Sequence, residues 1–229
     1  MIKKIIKKLD YFLNWIYTKR FNNKMFPKEI AKKCPVWITR STVIEGCKKG
    51  SIKIDTDNIE KYMVQIGYEY CAFGINDSNK TYLRIDSDGQ LVFKGKALIS
   101  TGCIIRIFAG GCVEIGDGLY FNAKCSVDCK KKIIIGDDVL CGWNIDIRDG
   151  DGHDIFELEN QKVINNDEEV IIGNHVWLAS HVTILKNTYI ADNCIIGMNS
   201  TVTKSINESN CIAVGAPARI VRRGVDWRH

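Results

Sequence analysis

IGNHVW LASHVT ILKNTY IADNCI IGMNST VTKSIN, residues 172–207, is a run of six-residue units and decides the fold of this chain. The first position of every unit is Ile, Leu or Val, the fifth is a small or β-branched residue, and the third and fourth are mostly polar. Six units in unbroken register indicate an internal repeat. Units of the same pattern begin at Ile135 and Cys141. Those that begin at Ile115 and Phe121 lie two residues out of step, which predicts a small bulge near residues 130–132.

A six-residue period predicts a solenoid of short strands. Each unit supplies one strand and a tight corner, with its first position pointing to the axis and its fifth filling the narrow interior. Three such faces close a triangular coil of about eighteen residues, and successive coils stack about 4.8 Å apart through backbone hydrogen bonds. Residues 41–110 alternate in polarity without clean units, and we expect irregular early coils there.

Composition describes a soluble globular protein, with 45% hydrophobic and 26% charged residues in 229. The ten cysteines contain no CxxC pair, and the first twenty residues do not resemble a secretory signal, because charges interrupt every apolar run. We therefore expect a cytoplasmic protein with reduced, buried thiols.

Residues 1–33 form a basic arm that holds ten of the lysines and arginines and only two acidic residues. Its apolar residues recur every three or four positions from Ile2 to Ile16, which predicts an amphipathic helix. Such a helix can pack on its own domain or on a neighbouring subunit, which we favour, or residues 1–20 can lie on an anionic membrane surface at the inner face of the membrane. No aromatic-and-basic module accompanies the charges, so no nucleic-acid partner is expected.

The register of the repeat also breaks between Ile147 and Val170, where a polar stretch too long for a corner predicts a protruding loop. The expected organisation is thus a helical arm (1–33), a β-helix domain (34–207) with its loop at 148–170, and a C-terminal tail (208–229). The loop begins RDGDGHDIF, which places His153 after two aspartates. Asp149 and Asp151 could orient the imidazole or bind acceptor hydroxyls, or could be solvated turn residues.

The chain resembles the hexapeptide-repeat acyltransferases, and among them the galactoside and maltose acetyltransferases and the O-acetyltransferases of capsular or O-antigen sugars. The resemblance covers roughly residues 88–223. It rests on the following motifs: IGDGLYFNAKCSV, IGDDVLCGWNIDIRDGDGH, IGNHVWLASHVTI, IGMNSTVTK and VGAPARIVRR. It implies an all-β fold, a left-handed parallel β-helix of hexapeptide repeats assembled as a homotrimer with intersubunit sites. It also implies transfer of acetyl from acetyl-CoA to a hydroxyl of a small-molecule or lipid-linked sugar, in cell-surface polysaccharide biosynthesis.

The same resemblance suggests a role for each candidate residue. His153 would be the general base, because imidazole titrates near neutral pH, and Asn122 would donate a hydrogen bond near the reacting carbonyl. Asp149, Asp151 and Trp143 would bind the acceptor. The residues that would contact the coenzyme are Trp177, Ala179, Ser180, Met198, Thr203, Lys204, Arg219 and Arg222. Met198 stands where a small residue is usual, and each assignment competes with an ordinary surface or turn role.

Three alternatives remain at this point. A metal-dependent β-helix enzyme like the carbonic anhydrases of this fold would need three histidines as ligands, and His153, His175 and His181 do not have that spacing, so no metal is expected. A non-catalytic β-helix scaffold would not require His153 or Asn122. A longer acyl donor would suit relatives that carry a helical C-terminal domain. A cysteine nucleophile is not expected, because Cys125, Cys141 and Cys194 occupy inward positions of the repeat.

Overall fold

The computed structural model describes residues 2–68 and 80–228, with side chains from residue 5, and it is a left-handed parallel β-helix. The first twenty strands enter the three sheets in the repeating order A, B, C, and the last two strands both belong to sheet A. Sheet A consists of β1 (Val36–Ile38), β4 (Val64–Tyr68), β7 (Ala97–Ser100), β10 (Leu119–Phe121), β13 (Leu140–Cys141), β16 (Trp177–Leu178), β19 (Ile195–Ile196), β21 (Cys211–Gly215) and β22 (Ala218–Arg223).

The other two sheets are parallel throughout. Sheet B consists of β2 (Val43–Glu45), β5 (Tyr82–Ile85), β8 (Ile104–Ile107), β11 (Ser126–Cys129), β14 (Asp146–Arg148), β17 (Thr183–Ile184) and β20 (Thr201–Val202). Sheet C consists of β3 (Ile52–Ile54), β6 (Gln90–Phe93), β9 (Cys112–Ile115), β12 (Lys132–Ile135), β15 (Val170–Ile172) and β18 (Thr188–Ile190). Three corners, A/B, B/C and C/A, therefore run along the helix.

The interior is filled by the positions that the repeat predicts, which confirms the six-residue register. The residues at position one are all buried: Ile172, Leu178, Ile184, Ile190, Ile196 and Val202. So are those at position five: Val176, Val182, Thr188, Cys194, Ser200 and Ile206. Equivalent residues stack directly, since Ile172 pairs with Ile135 on one side and Ile190 on the other. The hydrophobic core is thus one continuous column.

The C/A corner explains the Ile-Gly-Asp/Asn motif that opens many coils. The Asp or Asn side chain of one coil accepts a hydrogen bond from the backbone of the previous one, as Asp137 Oδ1 does from the Asp117 amide at 2.7 Å. Asn174 Oδ1 receives the Asp137 amide at 2.8 Å in the same way. The preceding glycine makes room, because a Cβ on Gly116 would lie 2.3 Å from Asp137 Oδ1. The motif is therefore a side-chain ladder between coils.

The early coils are more regular than the sequence predicts. Strands β2, β5 and β8 pair in register, as do β3, β6 and β9, and only the corners between them are long. An irregularity of the predicted kind is present between β4 and β7, whose register shifts between Ile66 and Tyr68, and irregular corners obscure the six-residue period. Residues 130–131, where a bulge was predicted, form a bend between β11 and β12, and the pairing of β12 with β9 keeps its register.

Helix α1 (Ile2–Met25) covers the first coil and is followed by α2 (Lys28–Lys33). Two of its buried polar residues pair with the open edge of β1 as a neighbouring strand would. Thr18 Oγ1 donates to the Ile38 carbonyl and accepts from the Ile38 amide, at 2.9 and 3.1 Å. Asn22 does the same at Val36, at 2.7 and 3.2 Å. The second half of the helix therefore closes one end of the solenoid, where an exposed sheet edge would otherwise invite pairing.

The other end is closed by a hairpin. Strand β21 continues sheet A in parallel with β19, and β22 turns back antiparallel to it across Ala216–Pro217, a cis peptide. Residues 208–229, expected as a tail, thus contribute to the last coil. No helix in the described part of the chain is long and apolar enough to cross a membrane.

The nine described cysteines are free, and eight of them are buried. Burial raises the pKa values of the Cys125 and Cys141 thiols far above the ordinary value for cysteine. It raises the pKa of the Cys194 thiol to about 12. These thiols are therefore protonated, as the sequence predicts for inward positions, and poor nucleophiles. Cys71 lies outside the described residues.

Candidate active site

The interruption between β14 and β15 is a protruding loop, residues 149–169, that leaves the B/C corner. It is itself a small hairpin: Phe156 bridges Val163 in antiparallel fashion, and the Ile164 amide donates to the Ile155 carbonyl at 2.8 Å. Four apolar side chains of this loop stay between 47% and 85% exposed in the single chain: Ile155, Phe156, Leu158 and Ile164. An apolar surface of this kind on a loop marks a place for contact with another molecule.

His153 lies at the start of the hairpin with its side chain exposed. Asp151, two residues earlier, forms an ion pair with Lys186 on the next coil, with Asp151 Oδ2 2.6 Å from Lys186 Nζ. That hydrogen bond, with a second from Asn165, lowers the pKa of the Asp151 carboxyl. The carboxylate that was predicted to bind an acceptor is thus engaged in holding the loop.

Asp149 does not reach the surface, so the prediction that it binds an acceptor is wrong. The residue is fully buried, and its two oxygens accept the amides of Lys130 and Lys131 at 2.7 and 2.8 Å. The Cys129 thiol donates to the same carboxylate at 3.3 Å. Asp149 therefore caps the two-residue bend between β11 and β12, and it fixes the base of the loop.

The A/B corner brings together several of the other candidates in successive coils. Ser180 Oγ accepts the Trp143 amide at 3.2 Å, and Gly142 has no room for a Cβ, which would lie 2.7 Å from the Ser180 amide. Asn122 is 7% exposed and donates from Nδ2 to the Cys141 carbonyl at 2.8 Å. A hydrogen bond donated by the Asn122 side chain to a substrate would have to use the second hydrogen of its amide. Ala179 and the 62%-exposed Met198 lie on the same corner.

The remaining candidates lie elsewhere on the chain. Trp177 projects from sheet A and is 38% exposed. Thr203 and Lys204 follow β20 at the B/C corner, the corner of the loop, and are exposed. Arg219 and Arg222 are exposed on β22. Within a single chain the candidate residues therefore form two groups. One group lies at the A/B corner and on sheet A, and the other lies at the B/C corner.

His175 is occupied by a structural role. Its Nδ1 lies 2.5 Å from Asp138 Oδ2, its Nε2 lies 3.2 Å from the Trp227 carbonyl, and its ring stacks on Trp227. A carbonyl can only accept, so Nε2 carries a proton, and the carboxylate beside Nδ1 favours a second. The hydrogen bond to Asp138 raises the pKa of His175 above its ordinary 6.5. Both ring nitrogens of His175 are thus engaged by other groups of the protein, which favours a structural role over that of a base.

The state of His175 predicts a pH-dependent attachment of the C-terminal segment. Because its folded-state pKa is raised, its stabilising contribution is complete below pH 6.5 and is lost as the pH rises through the folded value. The Trp227 indole N–H donates to the His175 carbonyl. We expect its rate of exchange with solvent to increase with pH by more than base catalysis of exchange alone would produce. NMR of that proton checks this, and in His175→Asn the excess should disappear. An unchanged excess in that variant would contradict the prediction.

The three described histidines that could form a metal site lie apart. His153 is on the loop at the B/C corner, His175 at the C/A corner and His181 at the A/B corner, the last two with positive φ values of 53° and 62°. Asn, Asp and His favour this left-handed conformation, which accounts for both corner residues. Among residues 2–68 and 80–228, no group of three His, Cys, Asp or Glu side chains is placed to hold a metal ion.

Lys186, Asn165 and Trp227 were not among the predicted site residues. Lys186 occupies a corner position where the repeat merely requires a polar residue, and Asn165 lies twelve residues beyond His153 in the sequence. No local pattern distinguishes them, because their contacts join segments 10 to 52 residues apart.

Comparisons with known proteins agree with this architecture. Residues 169–204 match the bacterial transferase hexapeptide family (six repeats). A polysialic acid O-acetyltransferase of Escherichia coli O1:K1 / APEC is 31% identical over 147 residues, 64% of this chain and 44% of that protein. A galactoside O-acetyltransferase of Escherichia coli strain K12 is 34% identical over 113 residues, 49% of this chain and 55% of that protein. The chain thus spans about half the length of these curated relatives.

A solved structure extends the similarity to most of the chain. The polysialic-acid-specific acetyltransferase NeuO superposes with a TM-score of 0.60 at 25% identity, and the match covers 84% of this chain and 89% of that one. The chain is therefore a left-handed β-helix protein that carries the bacterial transferase hexapeptide repeat, and in sequence and fold it resembles hexapeptide-repeat acyltransferases.

Proposed function

We propose that this protein is an O-acetyltransferase that transfers acetyl from acetyl-CoA to a hydroxyl of a sugar, in the biosynthesis of a cell-surface polysaccharide. The observation that carries this proposal is an exposed histidine, His153, on a loop held against a rigid β-helix. The names of the polysialic acid and galactoside O-acetyltransferases that the chain resembles support a sugar acceptor.

The proposed reaction is a direct transfer. The imidazole of His153 takes the proton of the acceptor hydroxyl, and the oxygen attacks the thioester carbonyl of acetyl-CoA. As the new C–O bond forms and the C–S bond breaks, the sulfur leaves and the imidazolium returns the proton to it. The developing oxyanion would be met by donors at the A/B corner, where Asn122 and Ser180 lie. No covalent acyl-enzyme forms, which suits the buried, protonated thiols.

The site would lie between subunits of a homotrimer. The two groups of candidate residues occupy different corners of one chain, so a site that uses both requires a neighbour. The loop tip supports this arrangement, since Phe156 and Leu158 expose 47% and 85% of their surface in the single chain. In the trimer this apolar tip would pack on the neighbour's sheet A, beside its Trp177. Light scattering after size exclusion tests the assembly, and a monomeric mass would contradict it.

The donor site gives the most direct test, because it needs no knowledge of the acceptor. A ligand at 100 times its Kd adds about 2.7 kcal/mol to the free energy of unfolding. We expect acetyl-CoA and CoA to raise the midpoint of thermal unfolding clearly, and a long-chain acyl-CoA to raise it less. Release of free thiol with polysialic acid and with galactosides as acceptors then tests the transfer. No shift with any thioester would contradict the transferase function.

We also infer that the first half of α1 lies on an anionic membrane surface, which would bring a lipid-linked acceptor to the site. Ile5, Ile6, Leu9 and Phe12 are 52–59% exposed, although Thr18 and Asn22 pack the second half of the same helix on β1. Lys7 and Lys8 are exposed beside this apolar surface, the sequence has two further lysines at positions 3 and 4, and such charges attract anionic headgroups.

Flotation with vesicles tests this contact. We expect binding to vesicles that contain phosphatidylglycerol, little binding to neutral phosphatidylcholine, and loss of binding in the double variant Ile6→Glu, Leu9→Glu, which leaves the packed half intact. Equal binding by the variant would contradict the proposal. A loss of subunit association in the variant, without vesicles, would instead assign the surface to a second copy of the chain.

A further inference from the structure

The loop that carries His153 is cross-linked by one side chain, Asn165. Its Nδ2 donates to the His153 carbonyl at 2.8 Å, and its Oδ1 accepts the Ile155 amide at 2.6 Å. Nδ2 also donates to Asp151 Oδ2 at 2.9 Å. The returning arm of the loop thus holds the backbone on both sides of His153 through a single amide.

Lys186 ties that amide junction to the next coil of the solenoid. Its Nζ donates to Asp151 Oδ2 at 2.6 Å and to the Asn165 backbone carbonyl at 2.7 Å, one acceptor from each arm of the loop. The side chain is 20% exposed. It projects from the corner between β17 and β18, a rigid part of the β-helix. The ion pair therefore holds the loop at a fixed position relative to that coil.

We propose that Lys186 and Asn165 are positioning residues for His153, a proposal that rests on the proposed function. An isolated exposed ion pair contributes little to global stability, and Asp151 is 42% exposed. The effect of the cluster is therefore local: it selects one conformation of a polar loop that has few buried contacts. Displacing a reacting group by about 1 Å can cost about 100-fold in rate.

Steady-state kinetics separate positioning from substrate binding. In Lys186→Met we expect kcat to fall about 10- to 100-fold while the KM for acetyl-CoA stays within about two-fold, and Lys186→Arg should recover most of kcat because it can donate to both acceptors. Asn165→Ala should resemble Lys186→Met. The matched control is Lys94→Met, since Lys94 makes an ion pair of the same 2.6 Å length with Glu114 on sheet C and should leave kcat unchanged.

Hydrogen exchange supplies a readout that does not depend on catalysis. We expect the Ile155 and Ile164 amides, both bonded across the loop, to exchange at least about 10-fold faster in Lys186→Met, with the strands of the β-helix unchanged. Unaltered exchange in the loop, or a raised KM with full kcat, would overturn the proposal. If the wild-type chain acetylates none of the acceptors, the proposed function fails and exchange alone decides whether Lys186 orders the loop.

Discussion

The variant His153→Ala is expected to fold normally and to lose about 100- to 10,000-fold in kcat, the contribution of a general base. The side chain is exposed, so its removal creates no cavity and leaves the Asn165 bond to the backbone carbonyl intact. Binding of acetyl-CoA should persist, because the donor is held by other residues. Thiol release measures the rate, and the thermal shift with acetyl-CoA measures the binding.

The control is the other histidine that could be considered as a base. His175→Asn should retain most of the activity, since His175 lies at the C/A corner and contacts Asp138 and Trp227. Asn is chosen because it tolerates the positive φ of 53° at this position. The reverse ranking of the two variants would show that the base has been assigned to the wrong histidine.

Asp149→Ala is expected to lower the free energy of unfolding by about 3 kcal/mol. The backbone amides of Lys130 and Lys131 would lose the carboxylate that accepts their hydrogen bonds, and a hydrogen bond to a charged group contributes about 1.5–3 kcal/mol. For a chain of this size that corresponds to a decrease of about 6–12 °C in Tm. Asp149→Asn, which keeps one acceptor oxygen, should lose about half as much. Thermal unfolding measures both.

A nearby carboxylate gives the comparison. Asp128 on β11 is 30% exposed and pairs with Arg106, which is 44% exposed, so Asp128→Asn should cost less than about 1 kcal/mol. If Asp149→Ala were as stable as the wild type but had a raised KM for the acceptor, Asp149 would bind the acceptor after all, and its assignment to the loop base would be wrong.

Much of the fold could be predicted because the repeat is local. One coil needs only six-residue units with an inward first position, and every inward residue of units 172–207 is buried as expected. The early coils were not recognised because long corners, such as the one between β3 and β4, interrupt the period, although β1, β4 and β7 still pair in parallel. The sequence could indicate a candidate residue only where that residue lies within a local motif, as His153 lies within the motif of the loop.

The sequence by itself determined the period, the inward residues, the break in the repeat between Ile147 and Val170, and the histidine that lies within that break. It could do so because the spacing of polar and apolar side chains indicates which residues face the interior and which face solvent. Only the tertiary structure decided that Asp149 is buried at the bend between β11 and β12, that Lys186 and Asn165 hold the loop, and that His175 clamps the C-terminal segment. Those contacts join residues from separate coils, and stacking alone brings them within hydrogen-bonding distance.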